Sequence, residues 1–308
     1  MSGAREVRCP DWMLEKARQQ GGKPVRTGVV NAVNAVVMES ARDAAAAGAI
    51  EPVLIGEASA VSAAAVAVGW DIGAYEVIDA AGEEAAAAAG ATAAGAGRLG
   101  ALMKGHLHTD IFMRAVLNRE AGLRTGAPLT HVFHLTMPGQ DRALILSDCA
   151  LNPAPDVEVR KAIIKNAVAV ARATGVARPK VALLSATEVI SPHIPSTGES
   201  EELAAWAAVN ISDADVQGPL AMDLAVSLDA ARVKGIDGPV AGAADVVVVP
   251  EIVSGNALYK GLVHFASACA AGLVVGAKVP IMLTSRADPA AARLASAALL
   301  GIVANQSA

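Results

Sequence analysis

A serine–arginine pair near the C-terminal end of the chain has the residue types and the placement of an anion site. Ser285 and Arg286 follow an apolar run, residues 279–283, that reads as a strand. Asp288 and Pro289 predict the cap and the first position of a helix. The pair is therefore expected between a strand end and a helix N-terminus, where main-chain N–H groups and an arginine fork suit a phosphoryl group. On these residues alone, an ordinary surface pair is an equally good interpretation.

Two other turns carry glycines and polar residues directly after apolar runs. One follows residues 99–103, and the other, residues 250–256, follows the valine run 246–249 and leads into a helix. Glycine lets a ligand approach the main chain closely, while asparagine and lysine supply polar contacts. Each turn alone is typical of ordinary turn chemistry, but three such strand ends favour one ligand-binding edge. The candidate substrate-binding residues of these turns are Lys104, Gly105, Gly255, Asn256, Tyr259 and Lys260.

A histidine cluster follows the first of these turns. His106, His108 and Asp110 alternate with other residues, and alternating side chains on a strand share one face, where they could hold a metal ion. In the other interpretation they are polar residues of a loop, with Asp110 in the first turn of a helix that Thr109 caps. The second interpretation predicts no metal site. The first supports an alternative function, a metal-dependent hydrolase.

Common nucleotide and hydrolase motifs are misplaced or missing. Residues 95–100 match GxGxxG, but a dinucleotide loop needs a strand before it, and here an alanine-rich helical tract precedes it. No GxxxxGK[ST] and no GxSxG sequence occurs. These patterns disfavour a nucleotide loop, a P-loop enzyme and an α/β-hydrolase.

Short apolar runs alternate with longer helical patterns along most of the chain. Residues 25–30 and 246–249 read as strands that are covered on both faces. Residues 34–47 and a segment that Asp156 can cap read as helices. This alternation predicts an α/β fold with doubly wound, mostly parallel sheets.

Two segments interrupt this alternation. Residues 82–100 form a tract of alanine and glycine, which is expected as a surface helix with loose ends. Residues 131–136 and 143–146 are β-like runs joined by turn residues, which predict an antiparallel hairpin at the start of a second lobe.

The composition limits the class of protein. The 308 residues are enough for two compact lobes, and the net charge of −5 is spread without the basic stripe of a nucleic-acid binder. No segment reads as a membrane span or a secretory signal. The cysteines, Cys9, Cys149 and Cys269, are far apart and give neither a disulfide framework nor a metal pair. A cytoplasmic protein without nucleic-acid or membrane partners is expected.

Six ordered sequence blocks lie between residues 102 and 300. They are Leu102–Gly105 with Thr109, Ala115–Asn118 followed by Gly122–Gly126, Gly218–Leu220 with Asp223, Pro239–Gly242, Gly255–Asn256 with Tyr259–Lys260, and Leu283–Asp288. Together they resemble the phosphate acetyl/butyryltransferase family, and the blocks at Lys104 and residues 117–126 look closer to its butyryl branch. The N-terminal third agrees in pattern more than in motif.

The resemblance implies a two-lobed fold like that of isocitrate and isopropylmalate dehydrogenases. The expected lobes are residues 1–130 with 274–308 and residues 131–273, with the active site in the cleft between them. The implied reaction is the reversible transfer of a short-chain acyl group, acetyl to butyryl, between coenzyme A and inorganic phosphate. The expected partners are acyl-CoA, phosphate and acyl phosphate, without a further cofactor, in a homodimer or higher homo-oligomer.

The resemblance also implies roles for single residues. Arg286 would hold the phosphoryl group, and Ser285 would hydrogen-bond near the CoA sulfur. The acetyl branch has an acid, thought to be the base for the thiol, where this chain has Ala292. Asp288 is the nearest acid, although its position is typical of a helix cap, so the base stays open. A non-enzymatic acyl-CoA sensor is a third possibility, which Ala292 favours and the intact blocks disfavour.

Overall fold

The computed structural model describes residues 7–19, 23–140, 142–283 and 288–306. They belong to two compact units, the first comprising residues 7–127 with 271–308 and the second residues 128–270. The two expected lobes and the location of the active site between them stay predictions. In the described part of the chain, no helix combines the length and the apolar character needed to cross a bilayer.

The first unit contains strands with helices before and after them. The bounds are α1 Asp11–Gln19, β1 Val25–Val30, α2 Ala35–Ala46, β2 Ile50–Gly56, α3 Ala58–Ala67, β3 Val77–Asp79, α4 Glu83–Gly95, β4 Ala101–Lys104, α5 Thr109–Leu117, β10 Cys269–Val275, β11 Ile281–Met282 and α11 Ala290–Ala304. The strands of this unit lie in the order β3-β2-β1-β4-β11-β10, and all are parallel except β10, which is antiparallel to β11. Strand β10 begins at the last residues of the second unit.

The strand and helix predicted for residues 25–30 and 34–47 are confirmed. Val29 and Val30 are fully buried in β1, as expected of a strand covered on both faces. The side chain of Asn34 caps α2 by accepting a hydrogen bond from the Val37 main-chain N–H at 2.9 Å.

The prediction of a surface helix over residues 82–100 is wrong for α4. Six of its small residues are buried, and the helix packs against the sheet. A Cβ on Gly90 would be 2.8 Å from a Val30 methyl group, and one on Gly95 would overlap the Ala121 carbonyl oxygen. The alanines and glycines are therefore there because the helix lies close to its neighbours. Gly95 is the last residue of this helix and β4 begins at Ala101, so the GxGxxG sequence leads from a helix into a strand.

The second unit contains five further strands. The bounds are β5 Thr130–Thr136, β6 Leu144–Ser147, α6 Val157–Thr174, β7 Lys180–Leu184, α7 Pro195–Asn210, β8 Asp215–Leu220, α8 Met222–Val226, α9 Leu228–Val233, β9 Val246–Val248 and α10 Ile252–Ala266. The strands of this unit lie in the order β5-β6-β9-β7-β8. The predicted hairpin is confirmed, since β5 and β6 pair antiparallel, and the other neighbours are parallel.

Aliphatic side chains fill the core of the second unit. Leu135, Leu146 and Val247 are fully buried at its centre, and Leu258 and Leu262 of α10 pack against them. Asp156 caps α6 by accepting a hydrogen bond from the Val159 N–H at 2.8 Å, as predicted. Loss of such a cap costs about 1 kcal/mol.

Candidate functional site

The strand order of the first unit reverses between β1 and β4. The chain runs from β1 to β2 and β3 on one side and returns to β4 on the other. Ligands of open α/β sheets bind outside the carboxyl ends of the strands at such a reversal. Asn31 follows β1 at this edge, and Lys104, Gly105 and His106 lie at the end of β4. Lys104 is buried as the last residue of that strand.

The two turns at this reversal are joined through their main chains. The N–H groups of Gly105 and His106 donate to the carbonyl oxygens of Val30 and Asn31, at 2.9 and 3.0 Å. The side-chain amide of Asn31 donates to the His106 carbonyl oxygen at 2.5 Å. A Cβ on Gly105 would overlap the Val30 oxygen and lie 2.8 Å from the Asn31 oxygen. Residue 105 must therefore be glycine because two main chains meet there.

The histidines near this edge lie in a loop and not along a strand. Helix α5 begins at Thr109 with His108 in the cap position, so the prediction that Thr109 caps this helix is wrong. Oε2 of Glu83 accepts a hydrogen bond from the His108 main-chain N–H at 2.8 Å and lies 2.8 Å from its Nδ1. The main-chain bond, followed by the side-chain contact, lowers the pKa of Glu83. His108 is thus committed to Glu83.

A metal centre at these histidines finds no support in the geometry. Asp110 is exposed and forms an ion pair with Arg114 at 3.3 Å. Over the described residues, no group of three histidine, cysteine or acidic side chains is arranged to hold a metal ion.

The Ser285–Arg286 pair falls on residues outside the described part of the chain, so its role stays a prediction. Helix α11 begins at Ala290 with Pro289 in the cap position, which corrects the prediction that Asp288 is the cap and Pro289 the first helical residue. The main-chain carbonyl of Asp288 accepts a hydrogen bond from Arg293 at 2.6 Å. Ala292, where the acetyl branch has an acid, is buried in α11.

A second set of candidate residues lies at the carboxyl edge of the second unit. Strands β6 and β9 are parallel neighbours, and each ends in a turn at the same edge. Residues 148–152, called here the Asp148 turn, follow β6, and residues 249–251 lead from β9 into α10.

The side chain of Asp148 organises its turn. Its Oδ1 accepts hydrogen bonds from the N–H groups of Ala150 and Leu151, at 3.0 and 2.9 Å. Its Oδ2 accepts from the His131 N–H at 3.0 Å and from the side-chain amide of Asn152 at 2.6 Å. Asp148 is only 2% exposed. Four donors therefore compensate a buried carboxylate, as buried charges require.

Helix α10 starts against this turn. It begins at Ile252, with Glu251 as the side-chain cap, so Gly255 and Asn256 lie within the helix. The prediction that they lie in the turn before it is therefore wrong. A Cβ on Gly255 would be 3.0 Å from the Cys149 Cα and 3.1 Å from the Asp148 carbonyl oxygen. The side-chain amide of Asn256 donates to the Cys149 carbonyl oxygen at 3.4 Å.

Two further candidates follow on the same helix. Tyr259 is half-buried and its ring stacks on that of Phe133, with centroids 3.9 Å apart. Lys260 is exposed. The structure therefore brings Gly255, Asn256 and Tyr259 together with the Asp148 turn and β5.

Burial controls the protonation of two groups at this edge. Burial lowers the pKa of His131 to about 4, although the charge of Asp148 opposes the shift. Burial, with the nearby Asp148 charge, raises the pKa of Cys149 far above its usual range. The imidazole is therefore neutral at pH 7, and the thiol is not a ready nucleophile.

Three polar residues at these edges were missing from the sequence-based candidates: Asn31, Asp148 and Asn152. Asn31 and Asp148 directly follow an apolar strand, and Asn152 lies a few residues beyond one. The position of a polar residue after an apolar strand is the same signal that identified Lys104 and Ser285. The sequence around Asp148 and Asn152 indicates a hairpin, and a hairpin does not by itself predict a ligand-binding edge at the end of its second strand.

The two edges define an α/β protein whose polar and glycine-rich turns at strand ends suit a ligand with anionic groups. Residues 84–300 match the family model described as "Phosphate acetyl/butaryl transferase". The chain belongs to this family. The predictions of the family and of an acyltransferase enzyme are thereby confirmed, and neither the hydrolase nor the sensor alternative finds support.

Relatives of both branches are similar over most of their length. The phosphate acetyltransferase of Rhizobium meliloti is 40% identical over 96% of this chain and 93% of its own. The phosphate butyryltransferase of Clostridium acetobutylicum is 37% identical over 95% of this chain and 97% of its own. Both branches of the family are therefore represented among the similar proteins.

Solved structures confirm the predicted fold. The crystal structure of a branched-chain phosphotransacylase from Enterococcus faecalis V583 has a TM-score of 0.77 and 30% identity, over 90% of this chain and 99% of its own. Solved 4-hydroxythreonine-4-phosphate dehydrogenases share the fold alone, with TM-scores of 0.53 to 0.57. The expectation of a dehydrogenase-like α/β fold is therefore confirmed.

Proposed function

We propose that this protein reversibly transfers a short-chain acyl group, acetyl to butyryl, between coenzyme A and inorganic phosphate. The observation that carries the proposal is the family match over residues 84–300, which includes Lys104 and Gly105, the Asp148 turn, helix α10 and the Ser285–Arg286 pair. The similarity to both an acetyl- and a butyryltransferase supports the range of acyl groups.

The chemical step is a substitution at the acyl carbon. In one direction the CoA thiolate attacks the carbonyl carbon of the acyl phosphate, the C–S bond forms, the C–O bond to phosphate breaks, and phosphate leaves with the electron pair. A thiol with a pKa near 8.5 is only a few per cent ionised at neutral pH, so a base must take its proton. Positioning of the substrates and stabilisation of the developing charge supply much of the remaining catalysis. No protein nucleophile is needed, which fits the buried Cys149.

On the family resemblance, Arg286 holds the phosphoryl group and Ser285 forms a hydrogen bond near the CoA sulfur. Asp288 is the nearest acid to this pair in the sequence and the candidate base. If Asp288 takes the thiol proton, Asp288→Asn will reduce kcat by about a hundredfold or more in folded protein. A smaller loss would assign the proton to another group.

The proposed binding residues at the strand ends fall into two sets. Lys104 and Gly105 lie at the strand-order reversal, with Thr109 at the start of α5 nearby in sequence. Gly255, Asn256, Tyr259 and Lys260 lie on α10. Strand ends and helix N-termini offer main-chain N–H groups and a partial positive charge, which suit the phosphates of the substrates.

Coenzyme A is a substrate, and the proposed reaction uses no metal or other cofactor. The contact between His108 and Glu83 disfavours a metal ion at that histidine. A cytoplasmic location fits three free cysteines and CoA as a substrate. A homodimer or higher homo-oligomer rests on the family resemblance alone.

The test is a turnover assay with acetyl-, propionyl- and butyryl-CoA, in which free thiol is measured with and without phosphate. Thiol release from at least one acyl-CoA should depend on phosphate and should survive prolonged chelation. Thiol release that is independent of phosphate would contradict the proposed reaction. Loss of activity with the removal of stoichiometric zinc would contradict the metal-free mechanism.

A further inference from the structure

The side-chain amide of Asn256 has a defined orientation because of the atom that it faces. Its Nδ2 lies 3.4 Å from the carbonyl oxygen of Cys149. A carbonyl oxygen only accepts hydrogen bonds, so the NH₂ group and not Oδ1 must face it. No other hydrogen bond of this amide occurs within the described residues. Oδ1 of Asn256 is therefore directed away from Cys149 as an acceptor.

The Cys149 carbonyl is held in place by its neighbour. Three of the four hydrogen bonds of the Asp148 carboxylate come from main-chain N–H groups, those of His131 on β5 and of Ala150 and Leu151 just after Cys149. Asn152 extends the network, because its amide also donates to the Leu129 carbonyl oxygen at 2.9 Å. The Cys149 carbonyl oxygen therefore faces α10 in a fixed position.

Helix α10 packs directly against the Asp148 turn, so the position of the turn affects the position of Asn256. Any side chain at residue 255 would meet the main chain of Asp148 and Cys149, so the first turns of the helix are in direct contact with the Asp148 turn. Asn256 follows immediately and is half-buried. A shift of the turn would consequently be passed to the Asn256 amide.

We propose that Asp148 is a positioning residue, which holds the Cys149 carbonyl so that Asn256 presents Oδ1 to an N–H group of acyl-CoA. The inference rests on the proposed function. An acceptor selects acyl-CoA over phosphate, because the pantetheine arm of CoA carries two amide N–H donors, whereas phosphate at neutral pH offers mainly acceptor oxygens. Asn256 thereby recognises the thioester substrate, acyl-CoA, and not phosphate.

The first measurement is CoA binding to Asn256→Ala by calorimetry, together with the KM for phosphate at saturating acyl-CoA. Loss of one neutral hydrogen bond should weaken CoA binding by about three- to tenfold. The KM for phosphate should stay within about twofold of the unchanged protein. Unchanged CoA binding in Asn256→Ala would overturn the inference.

The second measurement tests the action of Asp148 through Asn256. Asp148→Asn replaces one of the two acceptor oxygens by a donor, so the turn loses part of its support. CoA binding should again weaken by about three- to tenfold with little change in the phosphate KM. In the double variant the two effects should not add, because both remove the same contact. Full additivity, or an equal effect on CoA and phosphate, would overturn the positioning role.

Asp156→Ala is the matched control for general loss of stability. It removes an aspartate that caps α6 a few residues beyond the Asp148 turn and leaves that turn intact. It should lower the urea concentration at the midpoint of unfolding without weakening CoA binding. If it weakens CoA binding as Asp148→Asn does, the effect is one of stability and the inference fails. If Asp148→Asn does not fold, Asn256→Ala alone decides.

The same data separate this inference from the proposed function. If the unchanged protein binds CoA but releases no thiol in the presence of phosphate, the proposed reaction fails, and the calorimetric comparison still tests Asn256. If turnover depends on phosphate and the variants bind CoA normally, the reaction stands and the inference fails.

Discussion

The ring of Phe133 stacks on the ring of Tyr259, with centroids 3.9 Å apart and planes inclined by 6°. Phe133 lies on β5 and Tyr259 on α10, so the stack joins the hairpin to the helix that carries Asn256. His131, on the same face of β5, contacts Phe133 with a centroid distance of 4.3 Å. Only 3% of the chain is aromatic, and this contact is therefore a specific anchor for α10.

Loss of the stack should destabilise the protein more than loss of the tyrosine hydroxyl. Tyr259→Ala should lower the free energy of unfolding by roughly 1 to 3 kcal/mol, because it removes a half-buried ring and an aromatic pair. Tyr259→Phe keeps the stack and should cost no more than about 1.5 kcal/mol. Urea denaturation of both variants measures the difference. Equal destabilisation would show that the hydroxyl and not the stack holds the helix.

Gly105→Ala should reduce both stability and turnover. The added methyl group would meet the carbonyl oxygens of Val30 and Asn31, which belong to main chain and move only with β1. We expect a cost of about 1 to 3 kcal/mol in the free energy of unfolding. Gly198→Ala is the matched control, because no atom lies within 4 Å of an added Cβ in α7. That control should be neutral or stabilising by up to about 1 kcal/mol. Equal effects of the two substitutions would contradict the close approach at Gly105.

Stability should fall as the pH drops from 6.5 towards 4. Burial lowers the pKa of both His131 and His134 from 6.5 to about 4. In this window the unfolded chain takes up protons that the folded protein does not, so unfolding is favoured by acid. The expected slope is about 1.4 kcal/mol per pH unit for each histidine.

Urea denaturation at several pH values between 5 and 6.5 measures this slope. In this range carboxyl groups with ordinary pKa values contribute little. His131→Gln should reduce the slope by the contribution of one histidine, whatever its effect on absolute stability. An unchanged slope in that variant would mean that His131 titrates in the folded state much as it does in the unfolded chain.

Arg286→Ala should reduce kcat by about two to three orders of magnitude if Arg286 holds the phosphoryl group. Hydrogen bonds to charged groups contribute roughly 1.5 to 3 kcal/mol each, and each 1.4 kcal/mol is about tenfold in rate. Arg286→Lys should recover only part of the loss, since an ammonium group cannot form the two-pronged contact. CoA binding should change much less. Steady-state kinetics, with circular dichroism to verify folding, make the measurement, and near-normal turnover in Arg286→Ala would place the anion site elsewhere.

The sequence alone determined the order and type of most elements and the family. The valine runs of β1 and β9, the Asn34 and Asp156 caps and the β5–β6 hairpin were predictable because each depends on periodicity or capping within a few neighbouring residues. The family blocks were predictable because their residue types and order are visible without coordinates. The helix starts at Ile252 and Ala290 were less predictable, since proline and acidic residues are compatible with several adjacent cap positions.

The tertiary structure decided which distant residues meet. Helix α4 was expected at the surface because alanine and glycine carry little hydrophobic signal, yet its small residues are what allow Gly90 to approach Val30 so closely. Asp148 and Asn256 are more than a hundred residues apart, and only the parallel pairing of β6 with β9 brings their turns to one edge. The physical reason is that patterns report local conformation, whereas strand order and close main-chain contacts depend on the packing of the whole unit.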